Sequence, residues 1–130
     1  MKPYSEGDLS GLRVLLVEDE YLPAMAIEAL LLDLGCDLRG SVGTVQEALA
    51  AVEDGALDGA ILDLNLRGQR ADPVAAALAA RGIPFVVLSG YAPGEQPLNG
   101  YGNGPHLRKP VSAEALIDAM LRAFAPAGGD

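Results

Sequence analysis

Basic residues are scarce in this chain, nine against eighteen acidic ones, for a formal net charge of -9. Such a balance repels phosphate backbones and anionic lipid surfaces unless the few bases cluster, so direct nucleic-acid binding is not expected. Cysteine is scarcer still. Cys36 stands alone, so no internal disulfide can form, and a chain of 130 residues with half of them hydrophobic can build a core without such staples. Long apolar runs are also missing. The opening "MKPYSEGDLSGLRVLL" lacks the h-region of a signal peptide, and the most apolar helical stretch, "AMAIEALLLDLG", is interrupted by Glu28 and Asp33 and is too short to span a bilayer. No internal repeat or low-complexity block is present. The expectation is one domain over residues 1–130, with its core from 12 to about 124, in a reducing cytoplasm and without membrane insertion. The single histidine, His106, has no second metal-type ligand beside it and reads as a strand residue rather than a ligand or pH sensor.

What is present alternates between two patterns. "LRVLLVE" (12–18) is a short continuous apolar run, as in strands buried on both faces of a parallel sheet. Leu22, Met25, Ala29 and Leu32 then recur at spacings of three, four and three, the apolar stripe of a helix, which Pro23 can open and Gly35 can end. "CDLRGSV" is a weaker strand. Thr44 and Glu47 have the spacing of a capping box, starting a helix near Val45. "GAILDL" is a third strand, and Asp72 before Pro73 reads as the N-cap of a helix ending by Gly82. "IPFVVLS", "HLRK" and a Ser112-capped helix carrying Leu116, Met120 and Ala123 complete the order.

Strand and helix alternating in this way predict an α/β fold with right-handed crossovers, a flavodoxin-like doubly wound sheet of five parallel strands in the order 2-1-3-4-5. The segment 90–105, "GYAPGEQPLNGYGNGP", stands where a fourth helix belongs but is too rich in glycine and proline to sustain one. A loop of that length is expected to be a working part.

The carboxyl ends of all strands open on one edge of such a sheet, where ligands of doubly wound folds bind. That edge collects Glu18, Asp19 and Glu20 after the first strand, Asp63 after the third, Ser89 after the fourth and Lys109 after the fifth. Taken singly, each has a bland reading as a cap, a turn residue or a solvated charge. Taken together they do not, because two carboxylates about 4 Å apart repel by about 4 kcal/mol at an effective dielectric near 20. Something positive must sit among them. Lys109 supplies one charge, and oxygen donors with room for water suit Mg²⁺. Asp63 can then act as a nucleophile toward a phosphoryl group whose oxygens are neutralised by the metal and Lys109 and receive a hydrogen bond from Ser89.

"VLLVEDE", "LDLNL", "VVLSG" and "RKP" resemble, in order and spacing, the marks of the bacterial two-component response-regulator receiver domain, and the match runs from 12 to about 124. The resemblance implies that Glu18 and Asp19 hold Mg²⁺, that Asp63 is the phosphoacceptor, and that Asn65 lends its main-chain carbonyl to the metal. It implies Ser89 as the switch hydroxyl, Lys109 as the family's lysine, and a cis Lys109-Pro110 bond. "IPFVVLSGY" is further similar to a subgroup reading Pro-Phe-x-Phe-Ala-Thr-Gly-Tyr, keeping Pro84, Phe85, Gly90 and Tyr91 but with Val87, Leu88 and Ser89 in place of Phe, Ala and Thr. One departure is His106, where receivers often carry an aromatic switch residue.

The function so implied is that of a stand-alone receiver in a phosphorelay. It would accept a phosphoryl group from a histidine kinase or histidine phosphotransferase, hydrolyse it itself, turn over no separate substrate, and signal to a downstream protein by contact. The alternatives are a degenerate receiver that binds without phosphorylation and a small aspartyl-phosphate phosphatase. The second needs its nucleophile after the first strand and another acid two residues later, which this order does not supply. A flavodoxin-type cofactor binder is disfavoured by "EDEYLP", whose acids would repel a cofactor phosphate.

Overall fold

The computed structural model describes residues 6–90 and 104–124. Strands β1 (Arg13–Val17), β2 (Asp37–Val42), β3 (Gly59–Asp63), β6 (Phe85–Ser89) and β7 (His106–Arg108) form one parallel sheet in the order β2-β1-β3-β6-β7. Counted within that sheet, this is the expected order 2-1-3-4-5. Strands β4 (Asn65–Leu66) and β5 (Gln69–Arg70) make a separate antiparallel hairpin directly after β3, which the sequence pattern did not announce. Helices α1 (Tyr21–Asp33), α2 (Val45–Asp54), α3 (Asp72–Ala80) and α4 (Ala113–Phe124) cover the sheet. The segment 91–103 lies outside the described residues, and with it the expectation that a loop replaces a fourth helix there.

Strands β3 and β6 are buried along their whole length, the physical meaning of their unbroken apolar runs. Two cores result. Val14, Leu16, Ile61, Val86 and Leu88 pack under α1 and α4, while Leu15, Val17, Leu62 and Val87 pack under α2 and α3. This is the alternation of side chains to opposite faces of a strand. At the entry to the sheet, Arg13 grips Asp58 through its backbone amide at 2.8 Å and its guanidinium at 3.0 Å, while the Asp58 amide donates to the Arg13 carbonyl at 2.7 Å. The Arg13 hydrogen bonds hold the Asp58 carboxyl below the usual carboxylate range.

Caps follow the sequence in part. The Thr44 hydroxyl accepts from Glu47 N at 3.1 Å, so Thr44 caps the helix as its spacing predicts, while the Glu47 carboxylate reaches past the cap residue to Gly43 N at 3.2 Å. Ser112 accepts from Ala115 N at 3.0 Å at the start of α4. Asp72, in contrast, is the first residue of α3 and not its cap; Ala71 occupies that place, and the Asp72 carboxylate turns to Arg70 at 2.8 Å. The hairpin brings that guanidinium within reach, and an ion pair with it outcompetes a single backbone amide.

Helix α1 departs most from its pattern. The stripe Leu22, Met25, Ala29 and Leu32 faces outward, with Leu22 at 74% and Leu32 at 63% exposure, and Tyr21 beside it at 76%. Ala24 and Leu31 enter the core, and Ile27 and Leu30 pack against it. Two positions along a helix turn it by about 200°, so these are opposite faces. Both are apolar, and periodicity alone cannot say which one the sheet takes.

Gly59, at the start of β3, lies under Phe124 of the last helix, and a β-carbon there would stand 2.7 Å from the ring. Gly59→Ala should therefore destabilise the fold by about 1–3 kcal/mol through overpacking. Urea unfolding checks this, and adding Phe124→Leu should recover part of the loss.

Candidate functional site

The carboxyl ends of β1, β3, β6 and β7 deliver their next residues to one depression of about 390 Å³, whose walls include Asp19, Glu20, Asp63, Asn65, Arg67 and Lys109. Parallel register does the positioning. Leu62 pairs with Val17, Asp63 with Leu88, and Ser89 with Arg108, so Glu18 stands level with Asp63, while Ser89 lies one residue and Lys109 two residues further along the strand direction. Glu18, Asp63 and Ser89 are all buried.

Lys109 is the centre of the arrangement. Its Nζ stands 2.9 Å from Glu18 Oε1, 3.0 Å from Asp63 Oδ2 and 3.5 Å from Glu20 Oε1. The contact with Glu18 is an ion pair without hydrogen-bond geometry, which leaves a fully buried carboxylate oxygen with no hydrogen-bond partner. Burial pushes the Glu18 carboxyl up to about 7, outweighing Lys109 and the Glu20 amide, which draw it down. Burial alone would lower the Lys109 ammonium, but its contacts with Glu18 and Asp63 prevail and raise it. One cation thus serves an excess of acids.

The remaining oxygens are held by backbone. Asp63 Oδ1 accepts from Asn65 N at 3.2 Å, and Asp19 Oδ2 accepts from Arg67 N at 3.0 Å. One carboxylate oxygen from each of Glu18, Asp19 and Asp63 lies within 4.8 Å of the others, so these three could hold a metal ion. The donors are hard oxygens, local charge is negative, and one oxygen lacks a hydrogen bond, which together fit a hard divalent cation. The sequence-predicted residues Glu18, Asp19, Asp63 and Lys109 are therefore brought into contact range. Asn65 adjoins them through its amide, and Ser89 ends the neighbouring strand, its carbonyl bound by Lys109 N at 2.7 Å. The Lys109-Pro110 bond is cis, as the resemblance implied. His106 is exposed opposite Val87, as a strand residue. Arg67 and the hairpin were missed, although the pair Arg67-Gly68 between "NL" and "QR" carries the length of a tight two-residue turn.

No family model matches the chain, and no curated protein matches it. Solved structures do. SdrG from Sphingomonas melonis Fr1 is 44% identical with a TM-score of 0.73, over 87% of this chain and 94% of that one. The signal receiver domain of modulated diguanylate cyclase from Desulfovibrio desulfuricans G20 is 29% identical with a TM-score of 0.79, over 88% of this chain and 94% of the other. The chain belongs to the response-regulator receiver family. A third receiver, that of the sensor histidine kinase PA1611 from Pseudomonas aeruginosa PAO1, shares the fold at 23% identity and a TM-score of 0.77, over 90% of this chain and all 100% of that one; its structure has a magnesium ion coordinated in the active site cleft. Among the described residues of this receiver, no helix is long and apolar enough to cross a membrane.

The Glu18 shift has a definite sign. A glutamate with a folded pKa of about 7 against an ordinary 4.5 binds its proton more readily in the folded state. Its contribution to stability is full below about pH 4.5 and is lost as pH rises through about 7. Metal-free receiver should therefore lose melting temperature between pH 5 and 7.5 by a component that Glu18→Gln lacks. Thermal melts in chelator across that range measure the difference.

Proposed function

We propose that this receiver takes a phosphoryl group onto Asp63 from a phosphohistidine in a histidine kinase or histidine phosphotransferase, and passes the signal on by protein contact. The observation that carries this reading is the Lys109 ammonium 3.0 Å from Asp63 Oδ2 at the rim of an open depression. A buried carboxylate so held, with its other oxygen bonded by Asn65 N at 3.2 Å, is fixed at a site that a protein donor can reach. In the transfer, an Asp63 oxygen attacks phosphorus, the P–O bond forms as the P–N bond breaks, and the leaving imidazole keeps the electron pair. Lys109 pairs with a phosphoryl oxygen, and the Ser89 hydroxyl donates to another.

Mg²⁺ would be held by Glu18, Asp19, Asp63 and the Asn65 carbonyl, supplying charge neutralisation for the phosphoryl oxygens. The magnesium in the PA1611 receiver supports that assignment, as does the fit of the three carboxylates. Covalent labelling tests the proposal. With Mg²⁺ and acetyl phosphate, intact mass should rise by one phosphoryl group, and Asp63→Asn should abolish the gain. Equal labelling of Asp63→Asn would remove Asp63 from the role, and no labelling of the wild type would favour a phosphorylation-independent binding module.

The outward stripe of α1 supports a protein donor. Tyr21 and Leu22 follow directly on Glu20 at the rim, and Met25 and Leu32 carry the apolar surface away along the helix. Helix α1 has no basic residue, only Glu28 and Asp33 as charges. The surface fits an apolar helix rimmed by lysine or arginine and disfavours a second copy of this acidic chain. Leu22→Glu with Met25→Glu should slow phosphotransfer from a histidine phosphotransferase at least tenfold while leaving labelling by acetyl phosphate unchanged, a comparison made by the rate of phosphoryl gain from each donor.

A further inference from the structure

The hairpin that follows β3 joins two of the site's carboxylates. Its first residue, Asn65, donates its amide to Asp63 Oδ1 at 3.2 Å, and its turn residue Arg67 donates to Asp19 Oδ2 at 3.0 Å. The turn has only two residues, Arg67 at φ 53° and Gly68 at φ 85°, between the pairs Asn65 with Arg70 and Leu66 with Gln69. Both are left-handed, as the primed turns of tight hairpins require. Glycine occupies such a conformation freely, whereas at Arg67 it is unfavourable by about 1–2 kcal/mol. The strain is held by its surroundings. Gly68 N donates to Asn65 Oδ1 at 2.9 Å, Leu66 is buried, and Ala71 N bonds the Leu64 carbonyl at 2.8 Å at the base of the hairpin.

We infer that the Arg67-Gly68 turn is a positioning device for the metal site: the Arg67 amide fixes one oxygen of Asp19, so that its other oxygen faces Glu18 and Asp63. The inference rests on the proposed metal site and adds to it an outer partner that touches neither metal nor phosphoryl group. Asp19 needs such a partner because it follows a strand end and, unlike Glu18, has no contact with Lys109 among the ion pairs of the described residues. A carboxylate without it would swing into solvent, and ordering it again would be charged against metal affinity. The bond also ties the β1 edge of the depression to the β3 edge, since Asp63 is held by the same hairpin. The Arg67 side chain is exposed and plays no part in this; the backbone amide does.

The test is Mg²⁺ affinity by titration calorimetry on the full chain, with circular dichroism to confirm folding. Arg67→Pro removes the amide hydrogen and cannot reach φ 53°, and should weaken Mg²⁺ binding about 10- to 100-fold, the usual effect of losing an outer-shell partner. Arg67→Gly keeps the amide and favours the turn, and should bind as wild type does. If Arg67→Pro fails to fold, Gly68→Val carries the same expectation, because a β-carbon at Gly68 meets nothing within 4 Å and only the backbone conformation is penalised. In an Asp19→Asn background, where the partner is weakened, the turn variants should add at most about twofold. Wild-type affinity in a folded Arg67→Pro or Gly68→Val protein overturns the inference, as does a loss in Arg67→Gly equal to that in Arg67→Pro, or an undiminished loss in the Asp19→Asn background. Absence of Mg²⁺ binding by the wild type would instead overturn the metal site itself and the inference with it.

Discussion

A carboxylate delivered by a parallel strand to the edge of a buried sheet loses much of its water, and here Glu18 and Asp63 arrive side by side from adjacent strands β1 and β3. Lys109 answers both, with contacts of 2.9 and 3.0 Å. Most other features of the site follow from that triangle. Burial, with the neighbouring Asp63 charge a lesser cause, pushes Glu18 toward protonation, and two buried carboxylates against one cation favour a divalent cation. The lysine directly follows β7, the edge strand, so the site is complete only with that strand in place.

The same electrostatic imbalance makes the site responsive. A fully satisfied ion-pair network would have no use for a phosphoryl group or a metal, whereas an acidic site short of positive charge gains by taking up a cation, and with that cation in place it can accept an anion. Thermodynamically, whatever binds the folded receiver there also stabilises it, so under the proposed function metal, phosphoryl group and fold would be linked equilibria. Backbone amides of the β4–β5 hairpin hold one oxygen each of Asp63 and Asp19, and the Glu20 amide holds Glu18 Oε2, fixing directions without adding charge. Rigid placement by amides and adjustable charge from a cation are complementary tasks, and the chain gives them to different elements.

Helix α1 shows a second division of labour. Its inner residues, Ala24, Ile27 and Leu31, pack on the sheet, while Tyr21, Leu22, Met25 and Leu32 stay in water at a hydrophobic cost that the fold alone does not explain. Because the helix begins immediately after Glu20, that outer surface is rigidly registered with the depression over Asp63. A partner seated on it would meet Asp63 at a fixed offset, and a proximity requirement can be met in this way by packing rather than by contacts to reacting atoms.

Local patterns in the sequence determined a good deal: three of the sheet's five strands from their apolar runs, the Thr44 and Ser112 caps from spacing, and the polar residues at strand ends from their position after those strands. These depend on neighbours close along the chain. Sheet order could also be expected, because alternation of strand and helix leaves few topologies. Three things waited for tertiary structure. The stripe that the spacing picked out on α1 faces outward, because both faces are apolar and only packing against the sheet selects the buried one. Asp72 lost its expected cap role because the hairpin brought Arg70 near enough to take its carboxylate. The tie between Arg67 and Asp19 spans two strand ends far apart in sequence, and it depends on a left-handed backbone at an arginine, a conformation that residue type argues against and only the surrounding hydrogen bonds make stable.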